Sequence, residues 1–308
     1  MGSNKIALPK QYESLTGFLN KKDLLKIQSS VILLAGCGAG SNVAHLLARY
    51  GAGTKNKGTL IFADPDIVSK RNLTRQLYTS NDVGFKKVDA LSKSCLAINP
   101  SIKIKRVPSG ITAKNVSSLV KKSDLIFEMV DISAPEVSYL IHQKAYQFKK
   151  PVIITLDLGD NTLTRVFSNR PKSLSFMNFF GLPDLFPADE FAKLNPYAIV
   201  TRLIIGPCKT PLISHKKIVN YYSDKFFTMD GNLQNLLNNV PVEMKPLITA
   251  IISGKLNFLP QTGIAGQILG AVHMKLAQSI LMGKSVPNAT KPIKIYLSEL
   301  TAPHLTHQ

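Results

Sequence analysis

The feature that most constrains the fold is a short apolar run that ends in a glycine-rich turn and leads directly into an amphipathic segment. Residues 31–34 are all apolar, residues 35–40 read Ala-Gly-Cys-Gly-Ala-Gly, and apolar residues then recur at helical spacing until Gly51. This order indicates a buried strand, a tight turn and a helix. Glycines in such a turn let the backbone approach a phosphate, and the following helix N-terminus attracts an anion. We therefore assign Gly36 and Gly38 to phosphate binding.

The alternation of strands and helices continues along the chain. It predicts an α/β fold with a doubly wound, mostly parallel sheet of the Rossmann type. Further strands are predicted at 59–63, 102–107, 125–130, 151–156 and 294–297, and helices at 21–29, 43–50, 82–98, 137–148 and 262–282.

Four segments follow from this pattern. Residues 1–30 form an N-terminal arm and helix, and residues 31–160 form the nucleotide-binding core. Repeated prolines interrupt residues 161–260, which we expect to be an irregular substrate or interface region. Residues 261–308 supply the closing helix and strand of the core.

A carboxylate is expected beside the glycine turn. Asp64 ends the predicted strand at 59–63 and lies 26 residues after Gly38. A carboxylate in that place accepts hydrogen bonds from ribose hydroxyls. The third glycine of the G-x-G-x-x-G pattern is replaced by Ser41, so the turn by itself fits both dinucleotide and mononucleotide sites. Up to this point an NAD-dependent oxidoreductase explains the pattern.

The loop after Asp64 distinguishes these interpretations. It places two carboxylates, Asp64 and Asp66, ahead of Asn72, Arg75 and Gln76. The spacing resembles the D-x-D-x-V-x-x-x-N-L-x-R-Q signature of the ubiquitin-activating, E1-like family that includes ThiF, MoeB and HesA. The resemblance continues in a G-x-x-K at 84–87, an I-N-P at 98–100, and a strand at 124–131 that ends in an aspartate.

The resemblance implies an adenylyltransferase that activates a carboxylate with ATP and Mg²⁺ and releases pyrophosphate. The implied partners are a carboxylate-bearing protein, peptide or modified nucleoside, and a second copy of the chain in a homodimer. Arg75, Lys87 and Asp131 are the implied catalytic residues. By the same resemblance Asp64 binds the ribose, Asp66 lies beside the nucleotide, Asn72, Arg75, Gln76 and Lys87 contact the phosphates, and Asp131 binds Mg²⁺.

The sequence departs from the family pattern at its N-terminal end. Many relatives carry an arginine there that reaches the ATP of the partner subunit, but residues 1–30 contain no arginine. Lys10, Lys21 and Lys22 are candidate substitutes, although an ammonium is a poorer bidentate clamp than a guanidinium. A family member that binds nucleotide without turnover therefore stays open as an alternative, and hydride transfer with NAD is a third, weaker one.

The cysteines exclude a zinc site of the paired C-x-x-C kind found in many family members. The chain has three, Cys37, Cys95 and Cys208, and none are close enough in sequence to form that motif. Cys37 lies inside the glycine turn, where a small filler is expected. Cys208, followed by Lys209, is a candidate thioester acceptor because a neighbouring cation lowers a thiol pKa.

The charge constrains the surroundings of the protein. Thirty-eight basic and nineteen acidic residues give a net charge of +19, and a field of that sign attracts polyanions. We expect no contact with a membrane interior, because the longest apolar stretch, at 262–281, is interrupted by polar residues. The few cysteines favour the reducing cytoplasm.

Overall fold

The structure, a computed structural model, is built on a single sheet and describes residues 8–131, 134–209, 214, 232–252, 255 and 261–297. The strands follow the order β3-β2-β1-β4-β5-β6-β7 across the sheet. Their bounds are β1 (Val31–Ala35), β2 (Thr59–Ala63), β3 (Ile104–Val107), β4 (Leu125–Glu128), β5 (Val152–Leu158), β6 (Asn161–Phe167) and β7 (Ile293–Ile295).

Helices cover both faces of this sheet. They are α1 (Lys21–Ser29), α2 (Gly40–Arg49), α3 (Lys87–Ile98), α4 (Val116–Lys122), α5 (Pro135–Gln147), α6 (Phe176–Phe179), α7 (Ala188–Phe191), α8 (Pro196–Ile205), α9 (Asn232–Asn238), α10 (Met244–Ile252) and α11 (Gly263–Leu281). The predicted α/β class with a doubly wound, mostly parallel sheet is confirmed.

The direction of winding reverses between β1 and β4. Strands β1 to β5 pair in parallel, whereas β6 and β7 run antiparallel to their neighbours. In the register of the sheet, Ala35 lies opposite both Ala63 of β2 and Glu128 of β4. The glycine turn therefore leaves β1 at the topological switch point, which is where open α/β sheets bind their ligands.

Two apolar clusters sandwich the sheet. One lies under α4 to α8 and holds edge-on and tilted rings of Phe167, Phe176, Phe179 and Phe180. The other lies under α1, α2, α3 and α11. Every residue of β1 is buried, as the continuous apolar run predicts.

The segment expected to be irregular contributes to the sheet. β6 is buried along its whole length and pairs with β5 over seven rungs. The sequence obscured this strand because it carries polar residues, among them the fully buried Arg165. Its guanidinium donates to the carbonyls of Leu203, Ile204 and Ala289. It therefore supplies hydrogen bonds to carbonyl groups at the C-terminal end of α8, and it is not paired with a carboxylate there. Of this segment, residues 210–213, 215–231, 253–254 and 256–260 lie outside the described residues.

Several predicted boundaries differ from the structure. The helix predicted at 82–98 begins at Lys87, because residues 80–82 form a separate 3₁₀ turn and Lys86 pairs with Ile67 across an antiparallel bridge. The helix expected from about residue 43 begins at Gly40, and the strand at 125–130 ends at Glu128. The short helix α4 was not predicted.

Helix α11 packs inside the chain on several sides. It contacts α1 and α2 as well as β4, β5 and β6. Its His273 is fully buried, stacks on Phe127 and shares a 2.6 Å hydrogen bond with Thr155. Burial lowers the pKa of His273 to about 3, so the ring is neutral at physiological pH. Across the described ranges, none of the helices is both long and apolar enough to cross a membrane.

Candidate active site

The glycine turn is held tightly against the loop after β4. Gly36 has φ +100°, and a Cβ atom at this position would overlap the backbone carbonyl oxygen of Met129. A Cβ at Gly38 would lie 2.8 Å from Nε2 of Gln76. The turn thus brings Gly38 and Gln76 together at the start of α2.

Gly36→Ala tests how strictly this turn requires glycine. We expect a loss of at least about 3 kcal/mol in the free energy of unfolding, because the positive φ and the clash with backbone atoms act together. Gly84→Ala is the matched control: its φ is +92°, but nothing lies within 4 Å of a methyl group placed on its Cα. That variant should lose about 1 kcal/mol. Urea denaturation measures both, and equal losses would contradict the close approach at Gly36.

Asp64 ties the turn to the loop after β2. It is buried, its Oδ2 accepts a hydrogen bond of 2.6 Å from the amide N–H of Cys37, and its Oδ1 accepts one of 2.8 Å from the amide N–H of Asp66. Each carboxylate oxygen has a second lone pair. Asp64 therefore orients the turn and keeps acceptor capacity for the predicted ribose contact, which stays a prediction.

Two residues that the sequence analysis did not select fix the turn further. The Ser41 hydroxyl donates to the carbonyl of Gly38 and accepts from the amide of Leu77. Tyr78 is buried, and its hydroxyl donates to the carbonyl of Cys37 at 2.8 Å. Burial raises the pKa of Tyr78, so its hydroxyl stays protonated as a donor. The signal for Ser41 was its place at the third glycine of the pattern; Tyr78 carried no comparable signal.

Asn72 shapes the loop that presents the predicted phosphate ligands. Its side-chain oxygen accepts hydrogen bonds from the amide and the hydroxyl of Ser69, and its backbone carbonyl accepts from the amides of Arg75 and Gln76. The side chain is buried. Asn72 thus folds the loop so that Arg75 and Gln76 follow one another on a single turn.

Arg75 is held from two sides. Its Nε donates to Oε1 of Gln261 at 2.9 Å, and its Nη1 donates to the carbonyl of Arg71 at 2.9 Å. Gln261 precedes α11 and pairs by a backbone bridge with Gly159, just beyond β5. The sequence could not identify Gln261, because the contact joins positions 186 residues apart.

Gln76 brings a buried amide to the turn. Its Oε1 is buried and has no hydrogen-bond partner among the described residues, although buried polar atoms are nearly always paired. This acceptor lies beside Gly38, where the phosphate is predicted. A water or a ligand hydroxyl would satisfy it.

Lys87 opens α3 and already has a carboxylate partner. Its ammonium is buried and lies 2.7 Å from Oδ2 of Asp66, whereas the Asp66 side chain is 62% exposed. The backbone N–H of Lys87 also donates to the carbonyl of Asp66. The two predicted residues therefore form one ion pair.

Asp131 lies three residues beyond β4, at the same edge of the sheet, and is exposed. Within the described part of the chain, no three His, Cys, Asp or Glu side chains are grouped so as to hold a metal ion. Mg²⁺ commonly takes one or two carboxylates, with phosphates and waters completing its shell. One exposed aspartate thus fits a Mg²⁺ that arrives with a nucleotide, although it would not make a resident metal centre.

A second aspartate lies at this edge and was not predicted. Asp157 is the penultimate residue of β5, is 8% exposed, and has an Oδ1 without a hydrogen-bond partner among the described residues. Burial raises its pKa to about 6, and the Arg75 guanidinium opposes this increase. Its surroundings come from sequence-distant elements, so the sequence carried no signal for it.

Cys37 and Cys208 lie in different surroundings. Cys37 is fully buried, and burial raises the pKa of its thiol well above the usual range, as expected of a filler. Cys208 is partly buried against the aromatic cluster, and its amide donates to the carbonyl of Phe179. The thioester role of Cys208, with Lys209 beside it, stays a prediction.

The geometry suits a polyphosphate. At the switch point of the sheet, the glycine turn lies against the Gln76 side chain and leads into the N-terminus of α2, while the Arg75 and Lys87 cations belong to the loop after β2 and to the first residue of α3. Arg75 lies in a loop and Lys87 is the first residue of α3, and hydrogen bonds fix both of them. Such a site can bind triphosphate oxygens and orient an α-phosphate for attack.

Comparison with known proteins agrees with this description. The sequence profile of the ThiF family matches residues 11–295. The adenylyltransferase and sulfurtransferase UBA4 of Debaryomyces hansenii is 24% identical over 213 residues, which cover 66% of this chain and 44% of the relative. The sulfur carrier protein adenylyltransferase of Thermus thermophilus is 29% identical over 127 residues, 41% of this chain and 44% of the relative. The chain thus matches less than half the length of these curated relatives.

Solved structures share the fold. E. coli MccB, crystallised with ATP, superposes with a TM-score of 0.60 at 15% identity and covers 93% of this chain and 68% of MccB. PaaA gives a TM-score of 0.55 at 16% identity, with 89% of this chain and 75% of PaaA covered.

Proposed function

The chain belongs to the ThiF family, and from this premise we propose that it adenylates a carboxylate with ATP and Mg²⁺ and releases pyrophosphate. The observation that carries the proposal is the packing of the Gln76 side chain against Gly38 of the glycine turn, with Arg75 next to it on the same loop and the Lys87–Asp66 pair at the start of α3. NAD would need no such grouping of cations, because hydride transfer releases no pyrophosphate.

The reaction needs charge stabilisation more than it needs protein nucleophiles. A carboxylate oxygen of the substrate attacks the α-phosphorus, a new O–P bond forms, and the bond from that phosphorus to the pyrophosphate oxygen breaks. Negative charge develops on the equatorial oxygens and on the leaving pyrophosphate. Arg75 and Lys87 would stabilise that charge from fixed positions, and alignment of the reactants supplies much of the remaining acceleration.

Each remaining predicted residue has a place in this scheme. Mg²⁺ would neutralise phosphate charge when bound, and Asp131 would be the residue that holds it. Asp64 would accept from the ribose hydroxyls. Asn72 would act mainly through the loop it folds, and Gln76 would face the nucleotide with its buried amide.

We propose a peptide or protein carboxylate as the substrate class, with a modified nucleoside as the alternative. Support comes from the names of similar proteins: one relative is a sulfur carrier protein adenylyltransferase, and structures of E. coli MccB include complexes with MccA. The net charge of +19 would favour an acidic partner or another polyanion. The reducing cytoplasm is the proposed location.

Pyrophosphate exchange tests the function. Labelled pyrophosphate should enter ATP when the protein is given ATP, Mg²⁺ and a pool of peptides with free carboxyl termini. The matched pool, identical but amidated at every carboxyl terminus, should give no exchange. Equal exchange in both pools would overturn the activation of a terminal carboxylate.

The alternative function is that of a nucleotide-binding module that has lost turnover, and it leads to a different expected result. It is favoured by the lack of arginine among residues 1–30, of which residues 1–7 lie outside the described structure. Lys10, Lys21 and Lys22, the candidate substitutes, are exposed. Tight ATP binding with no exchange for any carboxylate would support that alternative. Thermal stabilisation by NAD but not by ATP would support the oxidoreductase.

We also expect a homodimer, as proposed from the family resemblance. The apolar positions of α11 beyond one face contact α1 and α2 within the chain, so they no longer argue for it. Ile264, at the start of this helix, remains 51% exposed. Light scattering at micromolar protein should give twice the monomer mass of 33.7 kDa. A monomer would contradict the dimer and any nucleotide contact from a partner subunit.

A further inference from the structure

The edge of the sheet opposite the glycine turn is strongly basic. Strands β1 to β5 begin at this edge, and β6, which is antiparallel to β5, ends there. The segments that precede β1 to β5 or follow β6 at this edge are 29–30, 53–58, 100–103, 121–124, 148–151 and 168–172. They carry one carboxylate, Asp124, and a set of cations that we call the basic edge: Lys55, Lys57, Lys103, Lys121, Lys122, Lys149, Lys150, Arg170 and Lys172.

Contacts between neighbouring segments join the basic edge from β3 to β4. The Lys103 ammonium donates to the carbonyl of Asn56, 2.9 Å away, in the segment before β2. The Lys57 ammonium in that same segment lies 3.4 Å from Oδ1 of Asp124, which precedes β4. Asp124 also accepts a hydrogen bond from the amide of Val31 at the start of β1. The carboxylate of these segments is therefore already engaged within the row of cations.

The row continues from β4 to β6. The Lys121 ammonium lies 5.9 Å from the ring centroid of Phe148, in the segment before β5. The side chain of Asn169, after β6, donates to the carbonyl of Lys150 at 2.7 Å. The strands from β3 to β6 are neighbours in the order β3-β2-β1-β4-β5-β6. Because neighbouring strands lie about 4.8 Å apart, the row is about 24 Å long.

The cations of the row face solvent. All of them except Lys150 are exposed, and within the described ranges Lys57 is the member of the row that forms an ion pair. Like charges in such a row repel each other, and the repulsion disfavours the folded state. A polyanion that lay along the row would replace this repulsion with attraction.

Two of the lysines occupy backbone conformations that favour glycine. Lys149 has φ +55° and Lys172 has φ +65°, in the left-handed region. Among the described residues, the other non-glycine positions with positive φ are Asn56 and Asn169, which belong to the same segments. A side chain with a Cβ atom is strained in this conformation. At both lysines a cation is thus retained in spite of backbone strain.

The opposite edge, where the nucleotide site lies, mixes charges of both signs. Asp64, Asp66 and Asp131 follow the carboxyl ends of β2 and β4, and Arg75 and Lys87 accompany them. A strand of five residues places the two edges about 17 Å apart. A ligand of the basic edge is therefore distinct from the ATP of the proposed function, and the inference does not depend on that function.

We propose that the basic edge is a docking surface for the phosphate backbone of duplex RNA. A B-form duplex carries about one phosphate per 1.7 Å of its axis, so a length of about 24 Å presents about 14 charges. The A-form of RNA packs its phosphates still more densely along the axis. An extended acidic polypeptide reaches only about one carboxylate per 3.4 Å. Among linear polyanions, duplex RNA thus gains most from a row of closely spaced cations.

The remaining side chains of these segments also favour a duplex. In the six segments, all of which the structure describes, no large apolar or aromatic side chain is exposed. Proteins that bind single strands stack bases on exposed aromatic rings. Helices that lie on a membrane surface insert apolar side chains. The basic edge offers charge without either feature, and charge is sufficient for sequence-independent binding to a phosphate backbone.

Fluorescence anisotropy of a labelled RNA duplex of about 20 base pairs, without ATP, tests this. We expect the logarithm of the association constant to fall linearly with the logarithm of the salt concentration, with a slope of about −4 to −5, as for about five phosphate contacts. Duplexes of different sequence should bind alike. A slope shallower than about −2 would overturn the inference, because it corresponds to no more than about two contacts.

Paired substitutions locate the binding surface. Lys149→Gly with Lys172→Gly should weaken binding roughly 60-fold at about 0.1 M salt and reduce the slope by about 2. The thermal midpoint of this variant should not fall, because glycine relieves both positive φ angles. Lys121→Gln with Lys122→Gln should weaken binding to a similar extent, and it tests the same row without changing a strained position.

Lys70→Gln with Lys114→Gln is the matched control. Both lysines are exposed and follow the carboxyl ends of β2 and β3, so this variant loses the same charge from the opposite edge. Its affinity should stay within about threefold of the wild type, because exposed charges more than about 10 Å away are screened at 0.1 M salt. Equal losses in the control and in the two edge variants would show that net charge, and not the basic edge, binds the RNA.

Three competing ligands test the kind of partner. Tighter binding of a DNA duplex of the same sequence, of polyglutamate or of phosphatidylserine vesicles would each overturn the assignment to duplex RNA. The anisotropy measurement uses no ATP, so a failure of RNA binding would leave the proposed adenylation standing. Pyrophosphate exchange with the peptide pool should proceed at the wild-type rate in the edge variants, and its loss there would contradict the separation of the two edges.

Discussion

Arg75→Ala should lower the rate of carboxylate-dependent pyrophosphate exchange by roughly two orders of magnitude and should also weaken ATP binding. Losing one charge-assisted contact to a developing phosphorane costs about 3 kcal/mol, which corresponds to that factor. Arg75→Lys keeps the charge but loses the planar fork that holds two phosphate oxygens. It should therefore retain part of the ATP affinity and lose most of the turnover.

Arg106→Ala is the control for Arg75. Arg106 is an exposed arginine that makes a surface contact, a 2.8 Å ion pair with Asp89. Replacing such a residue changes stability and binding by about 0.5 kcal/mol or less. ATP dissociation constants and pyrophosphate exchange rates of Arg75→Ala, Arg75→Lys and Arg106→Ala test whether Arg75 contacts the phosphates. If Arg75→Ala exchanged pyrophosphate at the wild-type rate, that result would contradict the adenylyltransferase mechanism.

Asp131→Ala should reduce exchange by about 10²- to 10³-fold, because a metal that stabilises the transferring phosphate loses its protein ligand. Asp131 is exposed, so the fold should persist, which circular dichroism and a thermal melt check. Asp131→Asn keeps the size of the side chain and removes its charge, and it should lose nearly as much exchange.

The dependence on Mg²⁺ identifies the cause of that loss. With a weakened ligand, raising the Mg²⁺ concentration should recover part of the exchange in Asp131→Asn. Asp189→Ala, which changes an aspartate on α7, serves as the control and should require no more Mg²⁺ than the wild type. Near-wild-type exchange by Asp131→Ala would show that the metal assignment is wrong.

The sequence predicted the elements whose signals are local. The apolar run at β1, the glycine turn and the polar loop after β2 follow one another between residues 31 and 76, and their spacing predicted the strand, the turn and the doubly wound sheet. Strand β6 was not predicted, because Thr162, Thr164 and Arg165 give this buried strand a polar sequence. Its burial depends on α8 and on Ala289, which packing brings together from distant parts of the chain.

In the candidate site, too, the sequence predicted the residues with local signals and missed those that depend on contacts between distant parts of the chain. Asp64, Asn72, Arg75 and Gln76 follow from one short pattern. The structure places Asp64 and Gln76 at the glycine turn, and the Asn72 carbonyl accepts from the amides of Arg75 and Gln76. Gln261 reaches Arg75 only because α11 packs back against the loop after β2, where Gly263 lies against the carbonyl of Thr74. A contact that depends on the return of the last helix has no signature in a single sequence.

A crystal structure of the protein with Mg²⁺ and a non-hydrolysable ATP analogue tests the central claim most directly. We predict phosphate oxygens within hydrogen-bonding distance, about 3 Å, of the Gly38 turn, of the Arg75 guanidinium and of the Lys87 ammonium, and Mg²⁺ on the Asp131 side of the triphosphate. A nucleotide bound elsewhere, or bound at the turn with its phosphates directed away from both Arg75 and Lys87, would contradict the account.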